Sequence, residues 1–260
     1  MADLGAAEIL AAAAREEVGN KTMEHQFAAF IDDLRSTHGK NLASVILYGS
    51  AAAGDFIPKA SDYNILIALK KIGTEDLRKA HASVREWVRM GHPVPVYFDV
   101  SELKNAADVF AIEFHQMAVA HKLLYGADLL AGLEITHDNM RRQAEYELRS
   151  KLIRLRRRYI PASASVDSLM RLMAESLANF AAIFRAVLVI HGIDPPAKKR
   201  EVVALTASHL KLDGMPFEKI FNIRENNFTG KLDEVAANEL FGEYLEQIEK
   251  VIDAVDALDK

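Results

Sequence analysis

The 260-residue sequence contains no cysteine. Disulfide frameworks, thiol nucleophiles and cysteine-based zinc centres are therefore excluded, and a reducing compartment is allowed. Charge of one sign is not in excess: 32 basic against 37 acidic residues give a formal net charge of -5. That balance argues against broad binding of nucleic acid or of an anionic membrane, while leaving room for a local patch. Glycine (13) and proline (7) are sparse, which favours long helices. No long uninterrupted apolar run exists. The most apolar stretch, Leu177 to Ile193, contains Asn179, Arg185 and His191 and reads as a buried helix rather than a membrane span. Residues 1–19 carry Asp3, Glu8, Glu16 and Glu17 and lack a basic start followed by an apolar block, so no export signal is expected and a cytoplasmic protein is. With 50% hydrophobic and 27% charged residues, the chain is too apolar for disorder and long enough for a sizeable core.

The hydrophobic pattern changes character near residue 137. Before it, helical and strand-like segments alternate. Thr22 to Thr37 sets Met23, Phe27, Phe30, Ile31 and Leu34 on one helical stripe, with Gly39 placed as a C-cap. Ala43 to Tyr48 and Asn64 to Leu69 are short apolar runs that read as buried strands. An amphipathic helix is expected over Glu75 to Met90 and a third strand over Val94 to Val100, where Pro95 suits an edge. Ala107 to Leu124 reads as helix, closed by Gly126. Past residue 137 only helices are expected: 139–159, 166–191, 198–211, 216–226 and 232–258, with Ser165 or Asp167 capping the second. The expected organisation is α+β: a leader helix over 1–20, a mixed-sheet domain with helices over 21–136, and an all-helical bundle over 137–260.

The chemistry-bearing segment is Leu47 to Leu69, LYGSAAAGDFIPKASDYNILIAL. A strand stops at Gly49-Ser50, where glycine admits a phosphate close to the backbone and serine adds a hydroxyl. Asp62 follows Ser50 by twelve residues, and Asn64 lies two further on. Residues two apart on a strand share a face, so Asp62 and Asn64 are expected side by side. A carboxylate from a neighbouring strand end would complete a cation site, and Asp99, closing VPVYFD, is the candidate; a strand-end Asp can equally cap the next turn.

These residues resemble the nucleotidyltransferase superfamily that includes DNA polymerase beta and the aminoglycoside nucleotidyltransferases. The matching positions are Gly49, Ser50, Ala52, Gly54, Asp55, Ser61 and Asp62, with Asp99 as the third carboxylate. The helical C-terminal half is similar in general shape to the helical domain of kanamycin-type nucleotidyltransferases. The resemblance implies catalytic Asp62, Asn64 and Asp99, nucleotide contacts from Gly49, Ser50 and Asn64, and Asp62 and Asp99 holding Mg²⁺ or Mn²⁺. It implies transfer of a nucleoside monophosphate from a metal-bound triphosphate to a hydroxyl of an acceptor, a small molecule in preference to nucleic acid, held in a cleft between the halves. Two departures stand out. Asn64 replaces the family's second Asp, and Ala53 replaces a frequent Arg. Loss of one anionic ligand costs on the order of 10²–10⁴ in rate. The alternative expectation is therefore a catalytically impaired nucleotide-binding or regulatory module.

Other features have plainer readings beside functional ones. Lys59 suits a solvated loop or a phosphate contact, and Asp55 a loop-stabilising acid. Glu113 and His115 lie two apart on an expected helix and do not share a face, although Glu113 has the chemistry of a base for an acceptor hydroxyl. The helix from Arg141 to Tyr159 is rich in arginine, which suits a solvated face or contact with triphosphate or RNA. Arg185 and His191 resemble the Arg-to-His spacing of HEPN ribonucleases, except that Ala186 stands where that motif carries a polar residue. Trp87 reads as packing.

Overall fold

The structure, a computed structural model, describes residues 25–52, 62–225 and 232–259. Two compact units emerge within them. One takes the residues up to Ala107 together with Glu113–Glu134; the other takes Asp108–Ile112 and everything from Ile135 onward. The proposed leader helix over 1–20 lies outside the described residues.

In the first unit, helix α1 (25–38) leads into strand β1 (Leu42–Tyr48), followed by β2 (Asn64–Leu69), α2 (Thr74–Arg89), β3 (Val96–Asp99), α3 (Val100–Asn105), α4 (Ala111–Val119) and β4 (His121–Gly126). The four strands are ordered β3-β2-β1-β4. β1 pairs antiparallel with both β2 and β4, while β2 and β3 are parallel, joined by the crossover helix α2. The two central strands are buried on both faces, which is why ASVILY and NILIAL are nearly unbroken apolar runs. One face presents Val45, Leu47, Ile65, Ile67 and Leu69 to Phe30, Leu34 and Trp87 from α1 and α2. Trp87 stacks on Phe30 at 4.6 Å between ring centroids. On the opposite face Phe98 meets Phe114 edge-on at 5.5 Å.

The segment expected as one helix over 107–124 divides into α4 and the strand β4. HKLLYG is an edge strand whose burial never becomes regular, so its sequence lacks both the buried run and the clean alternation that mark a strand. A register irregularity between Val45 and Ile46 accompanies its pairing with β1. Gly126 ends β4 at φ +81°, against the backbone of Ala43 and Ser44.

The second unit is helical: α5 (His137–Ala162), α6 (Val166–Ile190), α7 (Lys199–His209), α8 (Met215–Arg224) and α9 (Glu234–Asp256). Helix α6 packs on all four others. By length and composition it is apolar enough to cross a membrane, but 56% of that window is buried within the structure, the condition of a core helix. Thr136, Ser165 and Asp233 cap α5, α6 and α9 through their side-chain oxygens. The core contains Leu148, Leu155, Leu172, Phe180, Phe184, Ile248 and the fully buried Tyr244, whose hydroxyl lies 3.1 Å from Ser176 Oγ. Tyr159 stacks on Phe241 at 4.1 Å. No strand occurs beyond residue 137 among the described residues. The architecture is thus the expected mixed sheet with helices, followed by an all-helical region.

Gly126→Ala tests the β1–β4 junction. Its Cβ would fall inside the van der Waals envelope of the Ala43 carbonyl in a left-handed backbone. The expected cost is about 2 kcal/mol or more, the left-handed penalty and a displaced backbone combined, read as a lower urea midpoint with unchanged slope.

Candidate functional site

Chain direction and pairing decide what converges on the Gly49 turn. β1 ends at Tyr48, and Gly49 turns at φ +82°. Its N–H donates to the Ala120 carbonyl at 2.9 Å, and its carbonyl accepts from the Ala52 N–H at 2.9 Å, closing a tight turn on which Ser50 is exposed. Tyr48 lies directly opposite Asn64 on β2 and His121 on β4. Opposed residues share a face, so Asn64, Tyr48 and His121 form one row across the sheet at the turn end. A Cβ built on Gly49 would come within 3.5 Å of Asn64 Nδ2, which makes the amide an immediate neighbour of the turn.

Asp62 is exposed and precedes β2 by two residues. The intervening Tyr63 packs edge-on against Phe27 and His92, at 5.3 and 5.2 Å, on the side covered by α1 and α2. Asn64, the next residue, opens β2, while Asp62 stands before the strand, where its charge is felt at His92. Between Ala52 and Asp62, the positions Gly54, Asp55, Lys59 and Ser61 lie outside the described residues.

Asp99 does not join this group. In the parallel β2–β3 pair it lies opposite Leu69, not Asn64. Five residue steps separate Asn64 from Leu69, about 17 Å of strand at roughly 3.3 Å per residue. An odd number of steps also reverses the face, and Leu69 belongs to the core packed under α1 and α2. The expectation that Asp99 is the third carboxylate, a catalytic and metal-binding residue beside Asp62, is corrected accordingly. Its local job is capping. Asp99 Oδ1 accepts from the Glu102 N–H at 2.7 Å and from Ser101 Oγ at 2.6 Å, while Glu102 reaches back to the Asp99 N–H. These bonds, that from Ser101 foremost, hold its carboxyl below the ordinary range.

At the end of β3 nearest Asp62 stand His92, Pro93 and Val94, none of them acidic. His92 packs on Trp87 at 4.2 Å. Burial pushes its imidazole below the usual value, and Asp62 pulls the other way. The second feature missed in the sequence is His121. Its Nδ1 lies 2.8 Å from the Ala118 carbonyl and its Nε2 2.9 Å from Asp128 Oδ2. Both partners accept only, so both nitrogens are satisfied when the ring is an imidazolium. The hydrogen bond that His121 donates to Asp128 is the chief reason the His121 value is raised and the Asp128 value lowered. Asp128 also accepts from the Leu130 and Ala131 N–H groups and so ties down the loop after β4. No spacing rule links residues 121 and 128 once the segment is read as helix, which is why the pair was not visible.

The donor set bears on the metal that the resemblance implies. A divalent cation bridging phosphates wants two or three anionic oxygens. The turn end offers the Asp62 carboxylate and the Asn64 amide, and no cluster of three or more His, Asp or Glu side chains that could hold a metal exists among the described residues. The described residues do not fit a two-carboxylate Mg²⁺ or Mn²⁺ site.

The remaining candidates have local uses. Arg185 donates to the Pro196 and Ala197 carbonyls. His191 sits six residues away, on another side of the helix, against His209 at 4.7 Å. The α5 cations are largely paired, among them Arg142 with Asp138, Arg149 with Glu145 and Arg156 with Glu249. Glu113 is exposed on α4.

No protein-family model matches the chain, and no curated protein matches it. Among solved structures, the crystal structure of spectinomycin adenyltransferase AAD(9) from Enterococcus faecialis with ATP and spectinomycin is similar at 13% identity and a TM-score of 0.47, over 86% of this chain and 99% of that one. A likeness at that level fixes neither substrate nor chemistry for this chain.

Two predictions follow from this geometry. Asp99→Ala lowers stability at neutral pH. Because the folded carboxyl value is depressed, the cap's contribution is present above the ordinary carboxylate value and lost as pH falls through the folded one, so the gap between variant and parent closes on acidification. Nucleotide titration of Asp99→Ala matches the parent. For His121 the sign is opposite. Its contribution is complete below the ordinary imidazole value and fades as pH rises through the raised folded value. The stability lost in His121→Ala is therefore greater at about pH 6 than at about pH 9, measured by urea denaturation at both.

Proposed function

We propose that the sheet unit is a nucleotidyltransferase-like scaffold that binds a nucleoside triphosphate at the Gly49–Ser50 turn and is impaired in metal-dependent transfer. The single observation supporting this reading is the register that pairs Asp99 with Leu69 while Asn64 stands beside the Gly49 turn. With one carboxylate near the turn among the described residues, two cations have no charged bridge there, and the charge neutralisation that drives phosphoryl transfer is missing.

Asn64 gives the turn a different capacity. An aspartate there would repel a phosphate unless a cation lay between them. The Asn64 amide donates two N–H bonds and can meet a phosphate oxygen directly. Ser50 supplies a hydroxyl, and the glycine turn lets the backbone come close. The residues then do binding work: Gly49 shapes the cradle, Ser50 and Asn64 donate, and Asp62 flanks the site at the exposed entry to β2. The nucleotide is the ligand, and a regulatory use of its binding is the consequence.

The test is ATP binding by calorimetry with and without Mg²⁺, alongside a pyrophosphate-release assay with small hydroxyl acceptors. Binding is expected in EDTA, with no Mg²⁺-dependent release. Asn64→Asp is expected to weaken metal-free binding about tenfold and to make it depend on Mg²⁺, since a hydrogen bond to a charged group is exchanged for repulsion. Mg²⁺-dependent pyrophosphate release by the parent protein, abolished in Asp62→Ala, would restore the active-transferase reading. No ATP binding at all would end both.

A further inference from the structure

In the helical unit, a cation-lined cavity lies at the contact between α5 and α6. A cavity of ≈ 190 Å³ is lined by Lys151, Arg154 and Arg158 from α5 and by Leu172, Asn179 and Phe180 from α6, with Leu155 and Ser176 in its wall. The three cations are spaced i, i+3 and i+7. They lie on one stripe and span about 10 Å of helix at roughly 1.5 Å per residue. On α6, Leu172, Ser176, Asn179 and Phe180 follow the same helical repeat and face them across the cavity.

The base of the cavity is apolar and closed: Leu155, Leu172 and Phe180 are 2%, 3% and 1% exposed. Its rim is cationic. Lys151 is paired with Glu147 at 2.8 Å and Arg158 with Glu175 at 2.8 Å. Arg154 has no ion pair among the described residues, so three cations face two carboxylates. The Arg158–Glu175 pair is solvent-exposed, the kind that contributes little and exchanges readily for a better anion, while the Lys151–Glu147 pair is half-buried. Like charges on one stripe repel one another, and a phosphate dianion between two guanidinium forks removes that repulsion while accepting their paired N–H groups. The buried phenyl ring and leucines beneath favour a ligand with an apolar or aromatic body attached to the phosphate.

We propose that this α5–α6 cavity binds a small organic phosphate, its phosphate held by Arg154 and Arg158 with Lys151, and its organic part seated over Phe180. Arg154 is the specific element, because it brings a fork that no carboxylate among the described residues engages. Loss of its charge should act without disturbing the core, since the side chain is exposed. Lysine at the same place keeps the charge and loses the fork.

The test titrates the full chain at low salt with AMP, phenyl phosphate, inorganic phosphate and adenosine, and maps shifted amides by NMR. AMP and phenyl phosphate are expected to shift α5 and α6 resonances around residues 151–158 and 172–180, inorganic phosphate more weakly, and adenosine not at all. Arg154→Glu is expected to reduce phenyl phosphate affinity at least tenfold with an unchanged melting curve, and Arg154→Lys about threefold. Asn64→Ala should leave these α5–α6 shifts in place, which separates this site from the proposed nucleotide turn. The proposal is overturned if no probe shifts these resonances up to about 10 mM. It is equally overturned if the shifts survive Arg154→Glu, or if they vanish in Asn64→Ala instead.

Discussion

Side chains on β2 alternate sides, and its two neighbours run in different directions; together these constraints decide which chemistry the sheet can assemble. β1 arrives antiparallel and delivers Gly49 to the start of β2, beside Asn64. β3 arrives parallel and delivers its own end, Asp99, to the end of β2, beside Leu69. A carboxylate at the end of β3 is thus separated from the glycine turn by the length of the strand and by its face. Everything proposed for the sheet unit follows from that separation: among the described residues one acid near the turn, an amide in place of the second, and a donor-rich cradle rather than a cation bridge.

The fold was legible where packing imposes a simple pattern. β1 and β2 are buried on both sides and announce themselves as unbroken apolar runs, and α6 is capped by Ser165, one of the two residues its sequence offers. β4 was not legible. It is an edge strand with exposed Lys122 and Leu123, preceded by a genuine helix, and nothing in HKLLYG outweighs the helical continuation. With β4 misread, the Tyr48–His121 pairing and the His121–Asp128 bond had no place to be seen.

The candidate site was half legible. The proximity of Gly49 and Asn64 follows from two apolar strands joined by a loop, and the pair does adjoin. The error over Asp99 arose from treating strand ends as equivalent. The signal to correct it was present, because a strand, an amphipathic helix of sixteen residues and another strand make a crossover unit, and such units are parallel. Parallel strands put starts with starts. Asn64 opens β2 and Asp99 closes β3, so their separation was implied by the order of elements alone. The local sequence DVSE carried the other half of the answer, an acid followed by Glu three residues on, the signature of a helix start that the structure realises at α3.

The most direct measurement of the central claim is Mn²⁺ binding by electron paramagnetic resonance in the parent protein and in Asp62→Asn and Asp99→Asn, each in the presence of ATP. If the register is as described, Asp99→Asn binds Mn²⁺ as the parent does, and any change is confined to Asp62→Asn. Equal loss of Mn²⁺ affinity in the two variants would mean that both carboxylates hold one ion, and would contradict the separation from which the account is built.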